Sequence, residues 1–107
     1  MAHVLYKGIE WRRRITVTDD DTGARTNLTG KTVVFELRKR TGEAVLISKS
    51  VGAGITLLTQ SGATLGQADL VIASGDSASL DVGTHVIAVL VDSQVVMAPL
   101  KLPVRAL

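Results

Sequence analysis

Lys31-Thr32-Val33-Val34-Phe35-Glu36-Leu37-Arg38-Lys39 alternates with a period of two. Val33, Phe35 and Leu37 point one way; Val34, Glu36 and Arg38 point the other. That is the pattern of a β-strand with one buried face, because successive side chains leave opposite faces of a sheet. Arg40-Thr41-Gly42-Glu43 follows with the chemistry of a tight hairpin turn, and residues 44–50 return as the partner strand.

The same period extends in both directions. In residues 10–18, Trp11, Arg13, Ile15 and Val17 share one face, and Arg12, Arg14, Thr16 and Thr18 the other. The acidic Asp19-Asp20-Asp21-Thr22-Gly23 then reads as a turn. Downstream, Gly52-Ala53-Gly54 breaks the chain, residues 55–59 form a short strand, and Ser61-Gly62-Ala63 is a loop. Residues 67–74 form another strand, with Ala68, Leu70 and Ile72 on one side. Residues 75–80 suit one helical turn capped by Asp76 or Ser77. Strands over 84–92 and 95–104 close the domain, joined by a turn at Ser93-Gln94. Pro99 and Pro103 remove ladder donors, so the last strand is expected at an edge or with a bulge. About seven strands at regular spacing predict an all-β immunoglobulin-like antiparallel sandwich. It is expected to span residues 1–107 as one domain, with residues 1–9 as an N-terminal arm.

Composition agrees with strands. Hydrophobic residues make up 46% of the chain and aromatics only 3%, so the core must be built from Val, Ile, Leu and Ala. With no Cys, disulfides and thiol chemistry are excluded. A net charge of +2 is too small to signal nucleic-acid binding. No segment is apolar over the roughly 18 residues that a membrane helix needs. The N-terminus lacks the apolar stretch of a secretory signal, so synthesis in a cytoplasm without export is expected.

Few residues suggest chemistry. Asp19, Asp20 and Asp21 do not follow an EF-hand loop and read as a solvated turn. His3 and His85 have no nucleophile or orienting partner in any recognisable spacing, and neither G-x-S-x-G nor H-E-x-x-H occurs. Gly52-Ala53-Gly54 precedes a strand, which is the wrong context for a phosphate cradle. No enzyme activity, cofactor or metal is therefore expected. Arg12 and Arg14, on one face of a strand, are candidates for meeting an acidic partner, with Arg38, Lys39 and Arg40 adding to the patch if the two strands are neighbours.

The strand His85-Val86-Ile87-Ala88-Val89-Leu90-Val91 does not alternate. Either its second face is covered, for instance by residues 4–6, or that face packs on another chain. Val95, Val96, Met97, Ala98 and Leu100 extend the excess. Val86, Ala88 and Leu90 are thus interface candidates.

Several segments together resemble a known family. They are Trp11, the acidic turn ending at Gly23, Asn27-Leu28-Thr29-Gly30, Phe35-Glu36-Leu37-Arg38, Thr41-Gly42, Ile55-Thr56 and a Leu80-x-x-Gly83 step into a strand at Thr84. This order resembles the Ig-like N-terminal domain of phage baseplate upper proteins and small related phage structural proteins. Asn27 stands where that family often has Asp, and His85 where it often has an aromatic. The resemblance implies a bacteriophage virion structural protein of the tail, baseplate or adaptor, or alternatively a capsid decoration protein. Its expected partners are other virion proteins, in a homo-oligomer or larger symmetric assembly, with no nucleic acid and no membrane. With no fibre or receptor-binding region expected to follow, the resemblance implies a lone adaptor or decoration protein. A carbohydrate-binding sandwich is the reading from another class, and would need exposed aromatic platforms.

Overall fold

The computed structural model describes residues 4–19, 21–40 and 42–106, with backbone only for residues 96–100. His3, Asp20 and Thr41, and the side chains of Val96, Met97, Ala98 and Leu100, lie outside this description. The described chain is all-β, as its period predicts. Its strands are β1 (Leu5–Tyr6), β2 (Trp11–Thr16), β3 (Val33–Arg38), β4 (Val45–Val51), β5 (Gly54–Leu57), β6 (Gln67–Ile72), β7 (Gly83–Val91) and β8 (Gln94–Arg105).

The strands form one continuous eight-stranded sheet, in the order β1-β8-β7-β3-β4-β5-β6-β2. β1 and β2 are its two edges, yet only residues 7–10 separate them in sequence. So short a link forces the sheet to curl until its edges meet, giving a nearly closed barrel. The sheet is also mixed: β1 runs parallel to β8, and β4 parallel to β5. Strand number is close to the expected seven, but the sheet is mixed where an antiparallel one is expected, and its strands form one continuous sheet. Two devices account for the difference. The first is β1, where Leu5 enters the core with 0% exposure and pairs with Val104. The β4–β5 step is a coil of the chain at Gly52 and Ala53, with Ser50 and Ala53 exchanging backbone hydrogen bonds.

Gly54 makes that coil possible. Its φ is +105°, and a Cβ there would stand 2.6 Å from Lys49 Cδ. The space goes to the Lys49 stem, which carries Nζ to within 2.6 Å of Asp76 Oδ2 in the helix α1 (Ser74–Ala78). Gly66 serves a similar end. A side chain at residue 66 would meet Val17 O at 2.8 Å, whereas the glycine lets Val17 N donate to Gly66 O.

The predicted faces hold. Trp11, Ile15 and Val17 are buried, as are Val33, Phe35 and Leu37 on β3 and Ala68, Leu70 and Ile72 on β6. They meet Ile87, Val89, Val91, Leu102 and Val104 in one core. The helical turn begins earlier than expected. Ala73 is its N-cap, without a side-chain cap bond. Ser77 is instead buried within the turn, where Oγ accepts from Gly8 N and donates toward Ile9 O and Ser74 O. This ties α1 to the β1–β2 link. The last turn falls one residue early, at Asp92 and Ser93, and β8 starts at Gln94. β8 has an irregular register against β7 and pairs with β1 only at its end, as its prolines predict.

Candidate functional site

Two outer surfaces hold the residues singled out in the sequence. The first lies across β3, β7 and β8. Alternation along β7 sends His85, Ile87, Val89 and Val91 inward and leaves Val86, Ala88 and Leu90 on the outer face. Register places Arg38 opposite Val86, Glu36 opposite Ala88 and Val34 opposite Leu90. On the other side, Val95 stands opposite Leu90. The three candidates therefore lie together, in the middle of the sheet.

This face is only partly covered, and the cover comes from charged side chains. Arg38 pairs with Glu36 at 2.9 Å and donates from Nε to Glu43 O at 3.0 Å. The two side chains lie along the apolar strands and bury their stems there. Beneath them Ala88 is only 7% exposed, while Val86 and Leu90 are half-buried. Val95, beyond their reach, is 56% exposed. The result is a groove of about 340 Å³ with Val86, Ala88 and Leu90 along its floor and Glu36, Arg38 and Val95 among its lining residues. Residues 4–6 do not cover this face, since β1 sits at the sheet edge beyond β8.

The second surface is the outer face of β2 and β6. Here Arg12 and Arg14 project outward with Asp69, which the register sets directly opposite Arg14. Arg14 grips Asp69 with two bonds, at 2.8 and 3.3 Å, and Arg12 Nε lies 2.7 Å from Glu10 Oε2. The bond from Arg14 holds the Asp69 carboxyl below its ordinary pKa, and Asp69 in turn raises that of Arg14. Each candidate arginine thus has a carboxylate of its own. An acidic partner must compete with Glu10 and Asp69, so the surface favours orientation over affinity. Arg13 points inward, its guanidinium 5.0 Å above the Trp11 ring.

The two surfaces are separate, and so are the two basic runs. β4, β5 and β6 lie between β3 and β2 in the sheet, so Arg38, Lys39 and Arg40 do not join Arg12 and Arg14 through neighbouring strands. Lys39 faces Asp81 at 3.7 Å, and Arg40 faces Glu43 at 3.8 Å.

The remaining candidates have structural surroundings. His85 is 1% exposed, with Nδ1 3.1 Å from Gly83 O and Nε2 buried without a partner among the described residues. Asp19 accepts from Asp21 N and Thr22 N, which makes it a turn residue. No three His, Asp or Glu side chains converge on a metal position among the described residues. Trp11 and Phe35 are buried, their ring centroids 6.3 Å apart, which leaves Tyr6 as the exposed aromatic residue. Glu10, Glu36, Glu43 and Asp69 are the site residues that sequence reasoning missed. Their partners depend on strand register and turn geometry, though Glu36 and Arg38 share a face by simple alternation.

The chain matches no protein-family model and no curated protein sequence.

Proposed function

We propose that this protein is a non-enzymatic structural module that works by protein–protein contact, and that it belongs to a bacteriophage virion as a tail, baseplate or adaptor component. The observation that carries the contact role is the outer face of β7, where Val86, Ala88 and Leu90 floor a groove that Glu36 and Arg38 only partly cover. A strand with one wetted face has no need of apolar residues on both sides. A partner laid across this groove would remove Leu90 and Val95 from water, at a gain of about 25 cal/mol per Å² of apolar surface. A stable contact needs roughly 800 Å² from each side, so Arg12 and Arg14 on the β2 face would contribute only to a partner that wraps around the barrel.

The virion assignment rests on the motifs around Trp11, Asn27-Leu28-Thr29-Gly30, Phe35-Glu36-Leu37-Arg38 and Leu80-x-x-Gly83. Kinship with Ig-like phage domains, and with the sandwich those domains form, is part of the same proposal. The partners are other virion proteins in a symmetric assembly, and the protein is made in the host cytoplasm. A glycan-binding role would need a platform that buried Trp11 and Phe35 cannot supply.

The test compares two neighbouring residues. Val89 faces the core and Leu90 the groove. Val89→Asp is expected to prevent folding, because it buries an unpaired charge. Leu90→Asp is expected to fold normally and to lose assembly. Light scattering over a range of concentrations should give a discrete oligomer for the parent protein and a monomer for Leu90→Asp. An unchanged mass for Leu90→Asp would reject this face as the contact. A parent protein that stays monomeric would reject self-assembly and leave recruitment onto a preformed lattice.

A further inference from the structure

The barrel stops one pairing short of closure, and β2 is left with an open edge, because it pairs with β6 alone. The next ladder along shows which of its backbone groups are spent. Leu58 N donates to Gln67 O, so residue 67 faces β5, and residues 68, 70 and 72 face β2 by alternation. Their partners are Ile15, Arg13 and Trp11. The N–H and C=O groups of Arg12, Arg14 and Thr16 therefore point into the seam, where no ladder reaches them among the described residues. One of these carbonyls, Arg12 O, accepts from Arg13 Nη1 at 2.9 Å. A carbonyl oxygen has two lone pairs, so this bond leaves room for an incoming N–H.

The opposite lip of the seam offers less. Lys7 N donates to Arg105 O, so residue 105 of β8 faces the β1 side, and by alternation residue 103 does too. Pro103 has no N–H to give there. β2 contains no proline. A strand entering the seam would thus pair with β2.

The side chains along this edge indicate what such a strand would carry. Arg12 and Arg14 stand on the outer face two residues apart, a spacing of about 7 Å. Side chains directly opposite on neighbouring strands share a face and lie within about 5.5 Å, so acids at every second position of an added strand would meet both arginines. Asp69 holds Arg14 from the β6 side, away from the seam, and Glu10 holds Arg12 through Nε. A guanidinium has five N–H donors, so neither arginine is saturated by these bonds. Exposed ion pairs of this kind contribute little to stability, so sharing them costs little.

We propose that the open edge of β2 is a docking site for an extended acidic segment of another protein. The segment adds as a strand beside Arg12, Arg14 and Thr16, through backbone hydrogen bonds, and sets alternate carboxylates against the two arginines. This contact is independent of the β7 groove. The test uses a peptide of about seven residues in which aspartate alternates with valine, a usual strand length. Its binding to the full chain is followed by fluorescence anisotropy and by amide hydrogen exchange. Exchange at Arg12, Arg14 and Thr16 should slow about tenfold with the peptide bound. Arg12→Ala/Arg14→Ala should bind about tenfold more weakly, whereas Leu90→Asp should bind as the parent does. Two further peptides separate strand pairing from charge. Each is N-methylated at alternate amides, one at the odd positions and one at the even. One of the two should lose binding and the other keep it, because only every second amide of a strand faces its neighbour. Equal binding by both methylated peptides would overturn the proposal, as would binding without protection of the three amides. So would equal affinity for a peptide with lysine in place of aspartate, or no binding of the acidic peptide at all.

Discussion

Gln60 illustrates how much one side chain can organise. Its Oε1 accepts from Leu28 N at 2.9 Å and Gly66 N at 3.1 Å; its Nε2 donates to Leu58 O at 2.8 Å and Gln67 O at 3.1 Å. A carboxamide has two acceptor sites and two donor hydrogens, so its capacity is fully used. Gln60→Ala should lower unfolding free energy by about 1–3 kcal/mol in urea titrations, since several backbone groups lose a partner together. Gln60→Glu should also destabilise, because it turns a carboxylate oxygen toward the carbonyls of Leu58 and Gln67. If both variants match the parent, water replaces this hub without cost. Nothing in the sequence singles out Gln60, because its partners are assembled from residues 28, 58, 66 and 67 only when the loops meet. The same holds for Lys49 and Asp76, whose contact runs through the space that residue 54 leaves by having no side chain. By contrast Val86, Ala88 and Leu90 were legible, since alternation along one strand is a local property. The pairing of Arg14 with Asp69 was not, because it depends on the register of β2 against β6.

Among the elements, the β7–β8 hairpin is the clearest mismatch between sequence and backbone. Asp92 and Ser93 have φ of +50° and +68°, the left-handed pair that a two-residue hairpin loop requires. Asp92 tolerates this and is held by Thr32, whose backbone N–H donates to its carboxylate and, with lesser help from the Thr32 hydroxyl and Lys31, keeps its pKa below the usual aspartate value. Ser93 has no such compensation among the described contacts. Ser93→Gly should therefore stabilise the fold by about 0.5–1 kcal/mol, seen as a rise of several degrees in the thermal midpoint. A fall would mean that the serine side chain contributes to the turn. The absence of an Asn-Gly or Asp-Gly pair is also why the turn was expected one residue late. Strands were otherwise readable wherever one face is apolar and the other polar, as in β3 and β6. β1 was not, because two residues carry no period. The β4–β5 coil was not either, since a Gly-Ala-Gly break does not reveal in which direction the chain resumes.

At the scale of the whole molecule, closure depends on contacts between the ends of the described chain. Leu5 is fully buried beside Val104, whereas nearby Ile9 is exposed. Leu5→Ala should cost about 2–5 kcal/mol in equilibrium denaturation, the range for a buried leucine. Ile9→Ala should stay within about 0.5 kcal/mol of the parent, as exposed substitutions do. Similar losses from both would mean that β1 contributes little to the core. A sheet completed by its most distant segments has high contact order, which places folding in the millisecond-to-second range. The parallel pairing of residues 5 and 104 also has a topological consequence. Adjacent strands lie about 5 Å apart, so the chain enters and leaves this module at nearly the same point. A short peptide could join the two ends into a ring, and the ring could be reopened at the Asp92–Ser93 turn. For the same reason, the whole barrel could be spliced into a surface loop of another protein and hang from it by a single stalk.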